Sequence, residues 1–178
     1  MNKSMCITYE VGNGLYVNAT NRCSNSCKFC IRNNGDGAYN SDSLWLEREP
    51  TVSEMIRSIE SKGPGKYREL VFCGYGEPSY RLREIREVAL YVKAHYPELT
   101  IRINTNGQSD LINGENTTEL YKDAFDVVSV SLNAPTKERY FELCRPIFGI
   151  DTFDSVISFA VKVKPYVKWF FSARLMNF

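Results

Sequence analysis

Three cysteines stand close together near the start of the chain. Cys23, Cys27 and Cys30 share the segment CSNSCKFC, so one short loop presents three thiolates. Such a loop can wrap around a compact inorganic core, and in a [4Fe-4S] cube three cysteines leave one iron without a protein ligand. A chelating small molecule can occupy that iron, and a bond next to it can receive an electron from the cluster. The spacing therefore predicts a redox-active [4Fe-4S] cluster with an open coordination position.

Zinc is the alternative for the same cysteines. A zinc site would need a fourth ligand, which the sequence offers in Cys6, Cys73, Cys144 and the only histidine, His95. Zinc sites more often use two separated pairs of ligands, and His95 falls near the end of a predicted helix, away from the cysteine loop. The spacing favours a cluster over zinc. Three unrelated structural cysteines are a poorer explanation, because the polar context CSNSC is badly suited to burial.

The cysteines outside this loop need a separate explanation. Cys73 ends the apolar segment ELVFC, which predicts a buried small side chain. Cys144 follows the fourth predicted strand and can line a pocket as a hydrogen donor or thiyl, although a buried structural role is the favoured interpretation of a free cysteine. It is the one candidate catalytic residue. Arg145, next to it, can pair with an anionic substrate or cofactor carboxylate, or form a surface ion pair.

Composition places these motifs in a globular protein. The 178 residues are 43% hydrophobic and 24% charged, which suits one domain with an apolar core. A net charge of +1 disfavours binding to nucleic acid or to an anionic membrane. We find no signal peptide pattern and no apolar run long enough to span a bilayer, so we expect a cytoplasmic protein. Structural disulfides are disfavoured in that compartment, which strengthens the case for metal ligation.

Strands and helices alternate along the chain. The patterns predict strands over 14–20, 69–73, 99–105 and 126–135, with a fifth over the closing YVKWFF at 166–171. Helices are predicted from Thr51, where Thr51 and Glu54 form a capping pair, from Leu82 to Ala94, around 117–124, and up to about Lys164 with a break at Pro146 and Gly149. The polar stretch 33–43 reads as a mobile loop.

Each of the first four strands ends in a polar or glycine-rich motif, namely CSNSCKFC, GYGEP, NTNG and SLNA. Helical crossovers between strands imply right-handed parallel βαβ units. The carboxyl ends of parallel strands face the same side, where barrel folds build their active sites. The sequence therefore predicts an α/β fold, a partial TIM-type barrel with about five parallel strands, whose strand ends converge on one pocket.

These motifs, in this order, resemble the radical SAM superfamily. CxxxCxxC follows the first strand with Phe29 before the last cysteine, and Gly76-Glu77-Pro78 resembles the family's GGE motif, whose backbone holds the amino group of S-adenosylmethionine. Tyr75 departs from the usual first glycine, although a GxGEP variant also occurs. The resemblance implies a [4Fe-4S] cluster on Cys23, Cys27 and Cys30, and S-adenosylmethionine contacts by Phe29, Gly76, Glu77, Asn104, Asn106, Ser131 and Asn133.

Within the superfamily, VFCGYGEP, IRINTNG, VSVSLNAP and LCRPIFG are most similar to the TatD-linked radical SAM proteins, over about residues 14–165. The resemblance implies reductive cleavage of S-adenosylmethionine to methionine and a 5'-deoxyadenosyl radical, then hydrogen abstraction from a substrate that the motifs do not identify. It also implies an electron donor such as flavodoxin or ferredoxin, and an association with a TatD-type nuclease.

The carboxyl-terminal end departs from the superfamily pattern. We expect residues 1–178 to form a single radical SAM domain, but the usual core has six strand and helix units, whereas this chain has room for about five strands. We therefore expect a natural short form, a truncation or a frameshifted product. The aromatic group Tyr166, Trp169, Phe170 and Phe171 is interpreted as the buried side of the last strand or a subunit contact.

Two other functions stay open. GYGEP and SLNAP also resemble segments of the radical adenine methyltransferases of RNA, but those enzymes need further catalytic cysteines, for which Cys144 is the one candidate here. The shortened end motivates the second, a non-catalytic interaction module that binds a cluster or zinc.

Overall fold

A computed structural model describes residues 3–171 of the chain, and side chains from 3 to 167. In these residues one sheet has six strands in chain order: β1 (Thr8–Val11), β2 (Gly14–Val17), β3 (Glu69–Phe72), β4 (Thr100–Thr105), β5 (Val127–Val130) and β6 (Lys168–Phe171). β1 pairs with β2 antiparallel, and every later pair is parallel. The predicted α/β fold with five parallel strands is confirmed and is compatible with a partial TIM-type barrel.

The helices are α1 (Val52–Ser61), α2 (Leu82–His95), α3 (Ser109–Asn113), α4 (Lys137–Cys144) and α5 (Thr152–Val163). The predicted capping pair starts α1: the Thr51 hydroxyl accepts a hydrogen bond from Glu54 N, and the Glu54 carboxylate accepts one from Thr51 N. The break between α4 and α5 lies where proline and glycine predict it. In the described residues no helix combines the length and apolar character needed to cross a membrane.

β1 has no counterpart in the sequence prediction. β1 is four residues long and is connected to β2 by Gly12 and Asn13, with a φ of +56° at Gly12. A left-handed glycine in a two-residue connection is typical of a tight hairpin. The antiparallel β1 therefore extends the edge of the sheet, where the prediction began with β2.

The helix predicted around 117–124 is wrong. The chain forms the short helix α3 earlier, and only a 3-10 turn over Thr118–Tyr121. The side chain of Asn116 accepts a hydrogen bond from Thr118 N, and Asp123 adopts a left-handed φ of +62°, so the backbone cannot continue as a helix. Tyr121 and Phe125 are buried because this turn packs on the core.

The sheet has one apolar and one polar face. Leu15, Leu70, Ile101 and Val128 are fully buried against the helices. On the opposite face Arg102 donates to the Tyr16 hydroxyl and to Glu69, while Cys73, directly after Phe72, is half-buried and hydrogen-bonds with Asn104. Cys73 is predicted to be a buried small side chain; it is partly buried, but on the polar face, because successive residues of an extended chain point to opposite faces.

The polar stretch 33–43 folds back over the first strands. Leu44, which follows it, is buried and donates its backbone N–H to Asp36 O at 2.7 Å. The Tyr75 hydroxyl donates to Gly35 O at 2.7 Å, and the ring of Trp45 packs edge-on against Tyr75. These contacts hold both ends of the stretch to the fold.

The last predicted strand is confirmed as β6. The predicted burial of Trp169, Phe170 and Phe171 lies outside the described side chains, and the tail at 172–178 lies outside the described residues. The expected shortening of the carboxyl-terminal end stays a prediction.

Candidate cluster and cofactor site

The cysteine loop lies at the carboxyl edge of the sheet, directly after β2. It runs beside the end of α4: Ser26 N donates to Cys144 O at 3.0 Å and Lys28 N donates to Leu143 O at 2.9 Å. An antiparallel bridge pairs Asn25 with Pro146. The loop is thus fixed by backbone contacts that do not depend on the thiols.

Two of the three predicted ligands face a cavity. The cavity has a volume of about 640 Å³ and is lined by Ser26, Cys27, Lys28, Cys30, Arg32, Asn33, Trp45 and Arg145. That volume is in the range of small-molecule sites, about 300–1,000 Å³. The third predicted ligand, Cys23, lies deeper, with its sulfur accepting a hydrogen bond from Asn25 N at 3.4 Å. Burial, with help from the charge of Glu77, raises the pKa of Cys23 to about 12.

The cavity wall is cationic. Lys28, Arg32 and Arg145 supply positive charge, and none of the described residues that line the cavity is acidic. Lys28 forms an ion pair with Glu142 at 2.8 Å, and the Arg32 guanidinium lies 5.5 Å from the centre of the Trp45 ring. A cysteine thiol must lose its proton to bind iron. Positive charge beside the thiols favours the thiolate form and therefore suits cluster ligation.

These features fit a [4Fe-4S] cluster. Among residues 3–171, no three His, Cys, Asp or Glu side chains are grouped around a single metal ion. A cluster does not require such a grouping, because each cysteine binds a different iron. Cys23, Cys27 and Cys30 are the residues that would hold it.

Glu77 ties three strand ends together. Its carboxylate accepts hydrogen bonds from Ser79 N at 3.0 Å, from the Thr105 hydroxyl at 2.7 Å and from Asn106 N at 2.6 Å. Its own backbone N–H donates to Arg22 O at 2.7 Å. Burial raises the pKa of Glu77, against the opposing effect of these hydrogen bonds. The side chain thus joins the end of β3 to the end of β4, and the backbone N–H joins both to the segment that follows β2.

The end of β4 is joined to the cysteine loop by buried amides. Asn106 Nδ2 donates to the Ser24 hydroxyl at 2.9 Å. Gln108 Nε2 donates to Asn25 Oδ1 at 2.7 Å and to the Tyr140 hydroxyl at 2.9 Å. The side-chain amide of Asn106 is therefore engaged in a hydrogen bond within the protein. Sequence reasoning missed Gln108, although its place directly after NTNG was a usable signal.

Gly76 lies where the backbone passes close to the cysteine loop. A Cβ at this position would overlap Thr20 O and lie 2.7 Å from Arg22 O. A glycine is required here by close approach rather than by a left-handed φ. The following N–H, of Glu77, already donates to Arg22 O, so the predicted role of this backbone in holding the cofactor stays a prediction.

The other predicted cofactor contacts are spread around the loop. Phe29 packs against the apolar core, and Asn104 Oδ1 is buried without a partner among the described residues. Ser131 N donates to Thr105 O at 2.9 Å, and the Asn133 side chain hydrogen-bonds with Cys144. None of the predicted S-adenosylmethionine contacts lines the cationic cavity, so the cavity adds residues that sequence reasoning missed, Lys28, Arg32 and Trp45.

Cys144 is fully buried at the end of α4, and its thiol hydrogen-bonds with Cys27. This contact raises the pKa of Cys27 and lowers that of Cys144. Cys144 lines no part of the cavity, whereas the adjacent Arg145 does. His95, the candidate fourth zinc ligand that is not a cysteine, lies in α2 with its ring stacked on Tyr91.

Comparison with known protein families agrees with this arrangement. The model of the radical SAM superfamily matches residues 17–171, which include the cysteine loop and the strands from β3 to β6. The chain belongs to the radical SAM superfamily. Comparison with curated proteins gave no match.

Proposed function

We propose that this chain is a radical SAM enzyme that binds a [4Fe-4S] cluster through Cys23, Cys27 and Cys30. The observation that carries the proposal is the position of the cysteine loop: backbone bonds fix it at the carboxyl edge of the parallel sheet, beside a cavity lined by Cys27 and Cys30. When bound, the cluster would supply the electron that cleaves S-adenosylmethionine into methionine and a 5'-deoxyadenosyl radical, which abstracts hydrogen from the substrate.

The residues of the chain have distinct tasks in this proposal. The backbone at Gly76 would hold the cofactor amino group, as the resemblance to the GGE motif implies. Arg145 and Arg32 present positive charge to the cofactor carboxylate from the cavity wall. Glu77 holds the strand ends in place from the interior. A reduced flavodoxin or ferredoxin would supply the electron.

We further propose that the chain is one of the TatD-linked radical SAM proteins and acts in association with a TatD-type nuclease. The support is the similarity of four segments to the sequences of that group, namely VFCGYGEP, IRINTNG, VSVSLNAP and LCRPIFG. Co-purification of this chain with the TatD-type nuclease of the same organism is the test. Separate elution of the two proteins, with no effect of either on the other, would contradict the association.

Anaerobic reconstitution tests the main proposal. We expect about four irons per chain and an electron paramagnetic resonance spectrum of the reduced protein that changes when S-adenosylmethionine is added. Release of 5'-deoxyadenosine, followed by chromatography, reports cleavage. Substitution of Cys23, Cys27 or Cys30 by alanine should abolish these signals, while Cys6→Ala, at a partly buried thiol ahead of β1, serves as the matched cysteine control. Tight binding of one zinc and no iron would refute the proposal. A cluster that never cleaves S-adenosylmethionine would indicate a non-catalytic module.

A further inference from the structure

The turn that follows Cys30 folds back on the cysteine loop. It is a 3-10 turn over Ile31–Asn34, and Asn33 N donates to Cys30 O at 2.9 Å. The side-chain amide of Asn33 donates to Cys27 O at 3.4 Å and to Lys28 O at 3.3 Å. The turn therefore holds the second half of the loop through its backbone carbonyls.

Arg32, in the same turn, reaches the first half of the loop. One terminal nitrogen of its guanidinium donates to Asn21 O at 3.3 Å, and the other donates to Asn25 O at 3.5 Å. These two carbonyls lie on either side of Cys23 in the chain. A single half-buried side chain thus spans the segment that carries the first thiol, from a position two residues beyond the last one.

The positive charge of Arg32 is not cancelled by these contacts. Its hydrogen-bond partners are neutral carbonyl oxygens, and its guanidinium lies 5.5 Å from the centre of the neutral Trp45 ring. Lys28, by contrast, is paired with Glu142 at 2.8 Å. Arg32 lines the same cavity as two of the three thiols. A half-buried charge is screened less than an exposed one, so it acts on any group that these thiols hold.

We propose that Arg32 is a positioning residue for the cluster: its guanidinium holds the first half of the cysteine loop, and its charge raises the reduction potential of the cluster bound there. This inference rests on the proposed function. Reduction adds one negative charge to the cluster, and a fixed positive charge beside it stabilises the reduced form more than the oxidised form. The two effects can be separated, because lysine keeps the charge but lacks the planar fork of donors that reaches both carbonyls.

A redox titration of the reconstituted protein, followed by electron paramagnetic resonance without S-adenosylmethionine, measures the effect of the charge. We expect Arg32→Gln to make reduction roughly tenfold less favourable, a shift of about 59 mV to more negative potential for one electron. Arg32→Lys should stay close to the wild type. Arg57→Gln, which removes an exposed arginine from α1, should leave the potential unchanged. Circular dichroism checks that each variant is folded.

Release of iron to a chelator measures the hold on the loop. Arg32→Gln and Arg32→Lys should both lose iron several-fold faster than the wild type, because a side chain that ends in one nitrogen cannot bond both carbonyls as the guanidinium does. Arg57→Gln should lose iron at the wild-type rate. If Arg32→Gln does not fold, Arg32→Met is the second neutral variant for both measurements.

The outcomes separate this inference from the proposed function. Wild-type protein without iron would overturn both. Equal potentials in the wild type and Arg32→Gln, or an equal shift in Arg32→Lys and Arg32→Gln, would overturn the effect of the charge alone. Iron release at the wild-type rate in both variants would overturn the hold on the loop, and Arg32→Lys decides this point if neither neutral variant folds. A cluster that shows the expected shift but never cleaves S-adenosylmethionine would refute the proposed function and support this inference.

Discussion

At Gly76 the backbone of one strand end has no room for a side chain beside the cysteine loop. We predict that Gly76→Ala lowers the free energy of unfolding by about 1–3 kcal/mol, the usual cost of overpacking, because the obstacle is backbone carbonyl oxygen. Gly65→Ala is the matched control, since a Cβ there meets nothing within 4 Å and the φ is not left-handed. Urea unfolding of both variants measures the difference. Equal stability of the two would show that the loop yields easily at Gly76.

Glu77 has a buried side chain, and its removal would leave three hydrogen-bond donors without an acceptor. We predict that Glu77→Ala lowers the free energy of unfolding by roughly 3 kcal/mol, because an unsatisfied buried donor costs about 1–3 kcal/mol and Glu77 serves three of them. Glu87→Ala, at an exposed position on α2, should change it by less than about 0.5 kcal/mol. A small effect at Glu77, measured in urea, would mean that water replaces the carboxylate.

At the scale of the element, α1 depends on the capping box at its start. We predict that Thr51→Ala costs about 1 kcal/mol of stability and that Thr51→Ser, which keeps the hydroxyl, costs little. Thermal unfolding measures both. If the serine variant is as unstable as the alanine variant, the hydroxyl is not what stabilises the helix end.

The partner of Thr51 makes the stability of this element depend on pH. The hydrogen bond from Arg48, together with those from Thr51, lowers the pKa of Glu54 below its ordinary value. The unfolded chain therefore takes up a proton at Glu54 before the folded chain does, so the stabilisation present above about pH 5 declines as the pH falls. We predict that Glu54→Gln loses less stability than the wild type between about pH 5 and pH 3, in parallel urea titrations. Identical pH profiles would contradict this.

At the scale of the whole molecule, the cysteine loop is connected to β3, β4 and α4 by hydrogen bonds, so a cluster bound to it should stabilise the entire chain. A ligand that binds the folded form and not the unfolded form raises the free energy of unfolding. We predict a higher urea midpoint for anaerobically loaded protein than for the metal-free protein. Cys27→Ala should lose the difference and Cys6→Ala should keep it. The same midpoint with and without iron would refute the prediction.

Much of the fold follows from local pattern. The apolar spacing of α2 and the capping residues of α1 are periodic signals, and the strand ends are marked by glycine and polar residues. The failures have local causes too: the left-handed backbone at Asp123 limits the segment around Tyr121 to a 3-10 turn, and the hairpin strand β1 is too short to give a clear period.

The sequence by itself determined the order of strands and helices and, through the carboxyl ends of parallel strands, where the cysteine loop and the glycine-rich turns lie. Only the tertiary structure decided that Glu77 and Asn106 turn inward, that Cys73 lies on the polar face, and that Cys144 reaches Cys27. The reason is that periodicity assigns the faces of regular helices and strands, whereas the loops at the strand ends have no period. Their side chains are oriented by hydrogen bonds to residues far away in the chain, which form only once the sheet has assembled.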